Sequence, residues 1–156
     1  MLAHSASKQA LVVAEIIRNE ISSGSSKIDS INYENIPACT FTNPEIGSVG
    51  LTEQQAEEKY GQLLVGKFPF SANGKSLGIG NTFGFAKVIA DAGTKKIVGL
   101  HIIGPQATEL VAQGGILIGT GATIEDVKKV VFAHPTLSEV VMEAFEDLEK
   151  LAIHKI

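Results

Sequence analysis

Two neighbouring apolar stretches near the middle of the chain constrain its fold most. Residues 83–90 and 96–103 are rich in β-branched and aromatic side chains, and the four residues 91–94 between them have the composition of a tight turn. This pattern is typical of an antiparallel hairpin. The side chains expected to face one common core are Phe83, Phe85, Val88, Val98 and Leu100. The chain is therefore expected to be organised around an antiparallel sheet.

Shorter strand patterns precede this hairpin. Residues 36–42, 46–51 and 62–70 are each predicted to form a strand, and Pro37 is tolerated at a strand start or on a sheet edge. Thr52 and Gln55 form a capping-box pattern that predicts a helix ending at Gly61. Between residues 36 and 70 the chain is thus mostly strand, with one short helix.

Helical patterns follow the hairpin. Helices are predicted over residues 106–119, over residues 123–131 and from Leu137 onward. Gly114 and Gly115 lie inside the first of them, where glycine costs about 1 kcal/mol relative to alanine, so another backbone is expected to pack closely there. The side chains expected to face inward are Ile124, Val127 and Val131 in the second helix, and Leu137, Val141, Ala144, Leu148 and Leu151 in the last. Strands followed by helices predict an α+β fold, with a mostly antiparallel sheet of about five strands and helices packed on one face.

The N-terminal region has a different pattern. Apolar residues recur at spacings of three and four over residues 2–20, which predicts an amphipathic helix, and residues 22–26 have linker composition. The helical pattern begins without an N-cap residue, as if the chain had been cut out of a longer one. We therefore divide the chain into residues 1–32, a helix and linker, and residues 33–156, the main domain.

Composition excludes several classes of protein. The net charge of −4 and the lack of Lys or Arg clusters argue against a nucleic-acid partner. The most apolar window, residues 110–120, is too short to span a bilayer, so no membrane partner is expected. The single cysteine, Cys39, excludes an internal disulfide and a Cys-based zinc site, and no metal site is predicted. The glycines of residues 78–84 lack both the spacing and the strand-loop-helix context of a dinucleotide fingerprint.

The strongest candidate for chemistry lies in residues 133–139, Ala-His-Pro-Thr-Leu-Ser-Glu. His134 immediately precedes a predicted helix, and Glu139 falls in its first turn, so the two could form a general acid–base pair. Pro135 disfavours a helical backbone at His134 and places the ring at the head of the helix. A structural alternative stands beside this one, because Thr136 and Glu139 also fit a capping box. Residue chemistry alone leaves both interpretations open.

These residues resemble the C-terminal signature of the flavin-dependent pyridine nucleotide-disulfide oxidoreductases, and their Leu-Ser-Glu ending is most similar to the dihydrolipoamide dehydrogenase branch. Further blocks resemble the interface domain of that family in the expected order. They are residues 36–37, 42–53, 99–104 and 107–110. The resemblance covers essentially the whole chain.

The resemblance implies specific roles. His134 would be the active-site base and Glu139 its partner, serving a redox disulfide on the opposite subunit of a homodimer, with electrons passing through FAD to NAD. The His134-Pro135 bond would be cis. Met1, Leu2, Ala3 and His4 resemble the segment whose backbone contacts FAD in the intact parent. The substrate would be dihydrolipoamide on an acyltransferase of a 2-oxoacid dehydrogenase complex, in bacterial cytoplasm or the mitochondrial matrix.

The chain also departs from the complete family pattern. It has no dinucleotide fingerprint, and Cys39 has no second cysteine with which to form the redox disulfide. We therefore expect a C-terminal fragment, comprising the last helix of the FAD-binding part and the dimerisation domain, which binds no cofactor and does not catalyse alone. The alternatives are a non-catalytic self-association or docking module, and the same domain from a glutathione-reductase-like or mercuric-reductase-like enzyme.

Overall fold

A computed structural model describes residues 2–22, 24 and 30–155 of the chain. Its contacts divide the chain into two compact units, Met1–Ile36 and Pro37–Ile156. Most of the linker predicted over residues 22–26, namely Ser23, Ser25 and Ser26, lies outside the described residues. The assignment of residues 1–32 to a preceding FAD-binding part stays a prediction.

The described residues of the first unit form one long helix and a short turn. Helix α1 spans Ala3–Ile21, as the apolar periodicity predicts, and a short 3-10 turn follows at Tyr33–Asn35. No side chain at the N-cap position, Leu2, caps α1, and none of the side chains described in α1 is buried. The apolar stripe predicted for this helix is therefore exposed, and its members Val13 and Ile17 have 52% and 49% of their surface accessible. No helix within the described residues is both long and apolar enough to cross a bilayer.

The second unit is built on an antiparallel sheet. In the part of the chain that the structure describes, five strands pair in the order β1-β2-β5-β4-β3. They are β1 Ala38–Thr40, β2 Glu45–Gly50, β3 Leu63–Pro69, β4 Phe85–Asp91 and β5 Ile97–Gly104. The helices are α2 Glu53–Tyr60, α3 Gly74–Gly78, α4 Ala107–Thr120, α5 Ile124–Val127 and α6 Ser138–Glu146, and a 3-10 turn at Asp147–Glu149 continues α6. The predicted α+β fold with a mostly antiparallel sheet is confirmed.

The predicted hairpin forms the centre of the sheet, but its core assignments need correction. Val88 pairs with Leu100 and both are buried, as predicted. Phe83 precedes the strand and is 62% exposed, so it lies outside the core. A register shift near Ile89 makes Val98 the extra residue of a bulge, which turns its side chain to the opposite face of the sheet. There Val98 packs with Ile89 and with Ala56 of α2.

The main core lies between the sheet and helices α4 and α6. Helix α4 approaches β2 closely at Gly47, where a Cβ would lie 2.3 Å from the carbonyl oxygen of Ala107. Gly114 is also a close contact, but with side chains of Leu100 and Val49 and not with backbone. A Cβ on Gly115 would make an ordinary contact with Pro37 at 3.7 Å. The prediction that another backbone packs closely on Gly114 and Gly115 was therefore wrong. Gly114 is close to side chains and not to backbone, and Gly115 has no close contact.

Two predicted inward side chains in the C-terminal region are exposed. Helix α5 ends at Val127, so Val131 lies beyond the helical periodicity and is 95% exposed. Leu151 is 57% exposed because the helix has given way to the 3-10 turn, and Lys150 adopts a left-handed conformation with φ of 63°.

The first strand is also shorter than predicted and starts after Pro37, which has no N–H to donate to a sheet.

Candidate functional site

The turn before α6 brings His134 and Glu139 together. Nδ1 of His134 lies 2.8 Å from Oε1 of Glu139. The His134-Pro135 peptide bond is cis, as the resemblance implies. The Asn43-Pro44 bond is also cis, which was not predicted. The side chain of His134 is 77% exposed, whereas that of Glu139 is 17% exposed. A solvent-facing imidazole is thus oriented by a mostly buried carboxylate.

The predicted capping box is only half formed. Oε2 of Glu139 accepts a hydrogen bond from the backbone N–H of Thr136 at 2.8 Å, as a capping box requires. The Thr136 hydroxyl instead donates to the carbonyl oxygen of Ala133 at 2.7 Å. The two interpretations of Glu139 are therefore compatible, because one carboxylate oxygen fixes the turn and the other fixes the His134 ring.

The charge state of Glu139 follows from these contacts. Burial opposes its ionisation, but the hydrogen bonds from the Thr136 N–H and the His134 ring outweigh burial and hold the pKa of the Glu139 carboxyl below its ordinary value. Glu139 is therefore ionised at neutral pH. An anion on Nδ1 favours the tautomer protonated at Nδ1, which leaves the lone pair of the neutral ring on Nε2.

Neighbouring elements hold this turn in place. Asn73 is 4% exposed and precedes α3, where its Oδ1 caps the helix by accepting from the Ser76 N–H at 2.9 Å. Its Nδ2 donates to the Thr136 carbonyl oxygen at 3.1 Å. Nε2 of Gln113 on α4 donates to the Ser138 hydroxyl at 3.0 Å. The turn is thus tied to two separate helices, which limits the positions available to His134.

His134 and Glu139 line a cleft of about 250 Å³. Three further polar residues of its wall, Asn73, Glu143 and His154, were not identified from the sequence. Glu143 follows Glu139 by four residues, and this spacing on a helix was a signal that both carboxylates share one face. His154 lies eleven residues beyond Glu143, and no local pattern links the two.

The remaining predicted site residues lie elsewhere. Leu2, Ala3 and His4 are exposed at the start of α1, in the first unit, and Met1 lies outside the described residues. Cys39 is a free thiol on β1, and burial, followed by the charges of Glu109 and Glu45, raises its pKa. A thiol with a raised pKa is mostly protonated and weakly nucleophilic at neutral pH. Among the described residues, no cluster of three or more His, Cys, Asp or Glu side chains could hold a metal.

Comparison with known sequences identifies this arrangement. Residues 36–145 match the model of the pyridine nucleotide-disulphide oxidoreductase dimerisation domain. The chain belongs to this family. The dimerisation domain therefore covers the whole sheet, helices α2 to α5 and all but the last residue of α6.

Individual relatives agree with the family assignment. A dihydrolipoyl dehydrogenase of Halobacterium salinarum is 45% identical over 156 residues, which are 100% of this chain and 31% of that protein. A mitochondrial dihydrolipoyl dehydrogenase of Pisum sativum is 40% identical over 144 residues, 92% of this chain and 27% of that protein. The crystal structure of LpdA from Mycobacterium tuberculosis has a TM-score of 0.75 at 21% identity, covers 85% of this chain and 28% of that one, and supports the fold. The chain thus spans about a third of the length of the relatives it matches.

Proposed function

We propose that this chain is the C-terminal part of a dihydrolipoamide dehydrogenase, in which His134 is the acid–base residue and Glu139 orients its ring. The observation that carries this proposal is the 2.8 Å hydrogen bond between an exposed imidazole and a mostly buried carboxylate. The relatives named as dihydrolipoyl dehydrogenases support the choice of branch over glutathione-reductase-like or mercuric-reductase-like enzymes. The intact protein is then an NAD-dependent oxidoreductase that acts on a sulfur group.

The proton chemistry follows from the two ring nitrogens of His134. With Glu139 accepting a hydrogen bond from Nδ1, the neutral ring presents a lone pair at Nε2. Nε2 accepts a proton from a thiol of dihydrolipoamide. The resulting thiolate attacks a disulfide carried by the rest of the full-length protein, which breaks that S–S bond, forms a mixed disulfide and releases a protein thiolate. The second thiol of the substrate then displaces the other protein sulfur, so that lipoamide leaves oxidised and the protein disulfide is left reduced. The ionised Glu139 stabilises the imidazolium formed in the first step.

FAD and NAD supply electron-acceptor chemistry when they are bound to the full-length protein. In this chain we assign to FAD only the backbone of Met1, Leu2, Ala3 and His4, the last three of which are exposed at the start of α1. Leu2, Ala3 and His4 are all exposed, so these described residues alone form no enclosed cradle for a flavin. We therefore expect the chain alone to bind neither cofactor and to show no turnover of dihydrolipoamide with NAD, even with FAD added.

Self-association belongs to the same proposal. Apolar side chains are exposed on α4 and in the segment between α5 and His134, with Ile116, Val130 and Val131 at 66%, 52% and 95% accessibility. A homodimer covering them would deliver His134 to the disulfide of the opposite subunit. The substrate arm would come from an acyltransferase of a 2-oxoacid dehydrogenase complex, in bacterial cytoplasm or the mitochondrial matrix.

The test is His134→Gln in the full-length protein that contains this chain. We expect dihydrolipoamide turnover to fall about 10²- to 10⁴-fold, the usual contribution of general acid–base catalysis. Glu139→Gln should lower turnover less, because the ring remains but loses its anionic partner. Glu146→Gln is the matched control, since Glu146 lies on the same helix and lines a different pocket. Undiminished turnover in His134→Gln would refute the proposal.

The alternative function, a non-catalytic self-association module, is favoured by the same exposed apolar side chains. Light scattering of the purified chain at high concentration measures its oligomeric state. A dimer combined with normal turnover in the full-length His134→Gln variant would favour the module. A monomer at all concentrations would exclude self-sufficient dimerisation.

A further inference from the structure

The cleft that holds His134 contains a second imidazole–carboxylate pair. Nδ1 of His154 lies 2.5 Å from Oε1 of Glu143. The other oxygen of Glu143 accepts hydrogen bonds from the backbone N–H groups of Ile153 at 2.9 Å and His154 at 3.4 Å. The side chain of Glu143 is 4% exposed and that of His154 is 68% exposed. This pair therefore repeats the combination of a buried acid and an accessible ring found at Glu139 and His134.

The two pairs are related by the geometry of α6. Residues four apart lie on one face of a helix, with Cβ atoms about 5–6 Å apart, so Glu139 and Glu143 occupy successive turns. Asp147 continues this face into the 3-10 turn, and its carboxylate accepts from the Lys155 ammonium at 2.6 Å and the Lys67 N–H at 2.8 Å. The acidic face of α6 thus holds the turn of His134 at one end and residues 153–155 at the other.

The C-terminal segment is consequently part of the cleft wall. The carboxylate of Glu143 receives every hydrogen bond described for it from Ile153 and His154. Loss of these donors would leave a buried charge without partners, which is energetically costly. The segment therefore stays against α6. Because Nδ1 of His154 faces Glu143, Nε2 on the far side of the ring points away from the carboxylate and is available to a ligand.

We propose that His154, oriented by Glu143, is a second substrate-contacting imidazole, which binds the dithiol substrate so that one of its sulfurs lies against His134. This inference rests on the proposed function. Dihydrolipoamide carries two thiols, and one of them is deprotonated before the other. The thiol that is still protonated can donate a hydrogen bond to Nε2 of His154 while the first thiol reacts. His154 forms and breaks no covalent bond in this role.

The charges of the cleft fit such a substrate. The described residues that line it include the carboxylates of Glu139 and Glu143 but no Lys or Arg. Such a cleft favours a substrate that enters neutral, as a dithiol amide does, over one that carries a negative charge of its own. Phe68, Ala72 and Leu77 add an apolar wall suited to the aliphatic part of the substrate.

Steady-state kinetics of the full-length protein test the role of His154. In His154→Gln we expect KM for dihydrolipoamide to rise about tenfold, the effect of one lost hydrogen bond, while kcat changes by less than about threefold. Glu143→Gln should shift KM in the same direction, because the ring loses its orientation. The matched control Glu146→Gln should leave both constants unchanged. An unchanged KM in His154→Gln would overturn the inference.

A binding measurement on the 156-residue chain separates this role from a purely structural one. Imidazole nitrogen resonances are followed by NMR during titration with dihydrolipoamide, and with a monothiol as the comparison ligand. We expect both His134 and His154 to shift with the dithiol, and the His154 shift to weaken in Glu143→Gln with the backbone spectrum retained. A shift at His134 without one at His154 would overturn the inference and leave the proposed function intact. Undiminished turnover in His134→Gln would instead refute the proposed function itself.

Discussion

The two faces of α6 use different physical forces for different purposes. Its apolar face, with Val140, Val141 and Ala144 fully buried, packs on the sheet as part of one continuous core. Its acidic face, with Glu139 and Glu143, binds two segments that have no regular structure of their own. Burial of apolar surface is strong and tolerant of orientation, whereas a buried carboxylate requires donors at defined positions.

This difference shows how the same helix contributes to stability and to the site. The apolar face fixes where α6 lies on the sheet. The acidic face then orients His134 and His154 by hydrogen bonds from their rings to Glu139 and Glu143. Both histidines line the cleft. Changes to the apolar face should therefore affect the whole domain, and changes to the acidic face should have smaller effects on unfolding and larger ones on the site.

The largest expected effect comes from truncating Leu148, which extends the apolar face of α6 into the 3-10 turn that follows it. Leu148 is 3% exposed and belongs to the main core, so Leu148→Ala should lower the free energy of unfolding by about 2–5 kcal/mol. Leu151→Ala is the matched control, because Leu151 is 57% exposed and should change stability by less than about 0.5 kcal/mol. Urea unfolding of both variants measures the difference. Equal losses would show that Leu151 is part of the core after all.

The close approach of β3 to the apolar face should be the next most sensitive point. A Cβ on Gly66 would lie 2.1 Å from the Ala144 carbonyl oxygen and 2.7 Å from the Leu148 backbone nitrogen. Neither backbone atom can move without shifting α6, so we expect Gly66→Ala to cost about 1–3 kcal/mol in unfolding free energy.

Gly78→Ala supplies the control for this substitution, because a Cβ there meets nothing within 4 Å. It should leave the urea midpoint unchanged or raise it slightly, since alanine lowers the entropy of the unfolded chain. A stable Gly66→Ala variant would mean that the sheet and α6 can separate without loss, which would weaken the comparison of the two faces.

The features that sequence alone predicted are those set by local periodicity. The hairpin of β4 and β5, the capping box of α2 and the stripe of α6 each follow from spacings of two or of three to four residues. The errors occur where periodicity stops. Phe83 and Val131 are apolar residues that lie just outside an element, and Val98 is displaced by a bulge that tertiary packing selects.

The site was predictable to the extent that it is local. His134 and Glu139 are five residues apart, so the sequence could place them on one turn, and the structure brings them together. His154 reaches the cleft because Glu143 and Asp147 bind the C-terminal segment. Asn73 supports the site by a hydrogen bond to Thr136, which lies 63 residues further along the chain. Such contacts depend on the tertiary fold, and no spacing rule predicts them.

The smallest expected effect on unfolding belongs to the acidic face at Asp147. Its side chain is 4% exposed. Burial opposes ionisation, but the hydrogen bonds from Lys155 and from the Lys67 N–H outweigh burial and lower the pKa of Asp147. Asp147→Asn retains an oxygen acceptor and loses the charge, so we expect a loss of about 1 kcal/mol at pH 7. Glu57→Gln, at an exposed position on α2, is the control and should be neutral.

The pH dependence of this loss has a definite sign. A carboxyl with a lowered folded-state pKa stabilises the fold above its unfolded-state pKa of about 3.9, and this contribution disappears as the pH falls through the folded-state value. Urea unfolding from pH 7 down to pH 2 should therefore show the wild type and Asp147→Asn converging below about pH 4. A difference that stays constant across this range would mean that Asp147 acts through its shape and not its charge, and the contrast between the two faces of α6 would then disappear at this position.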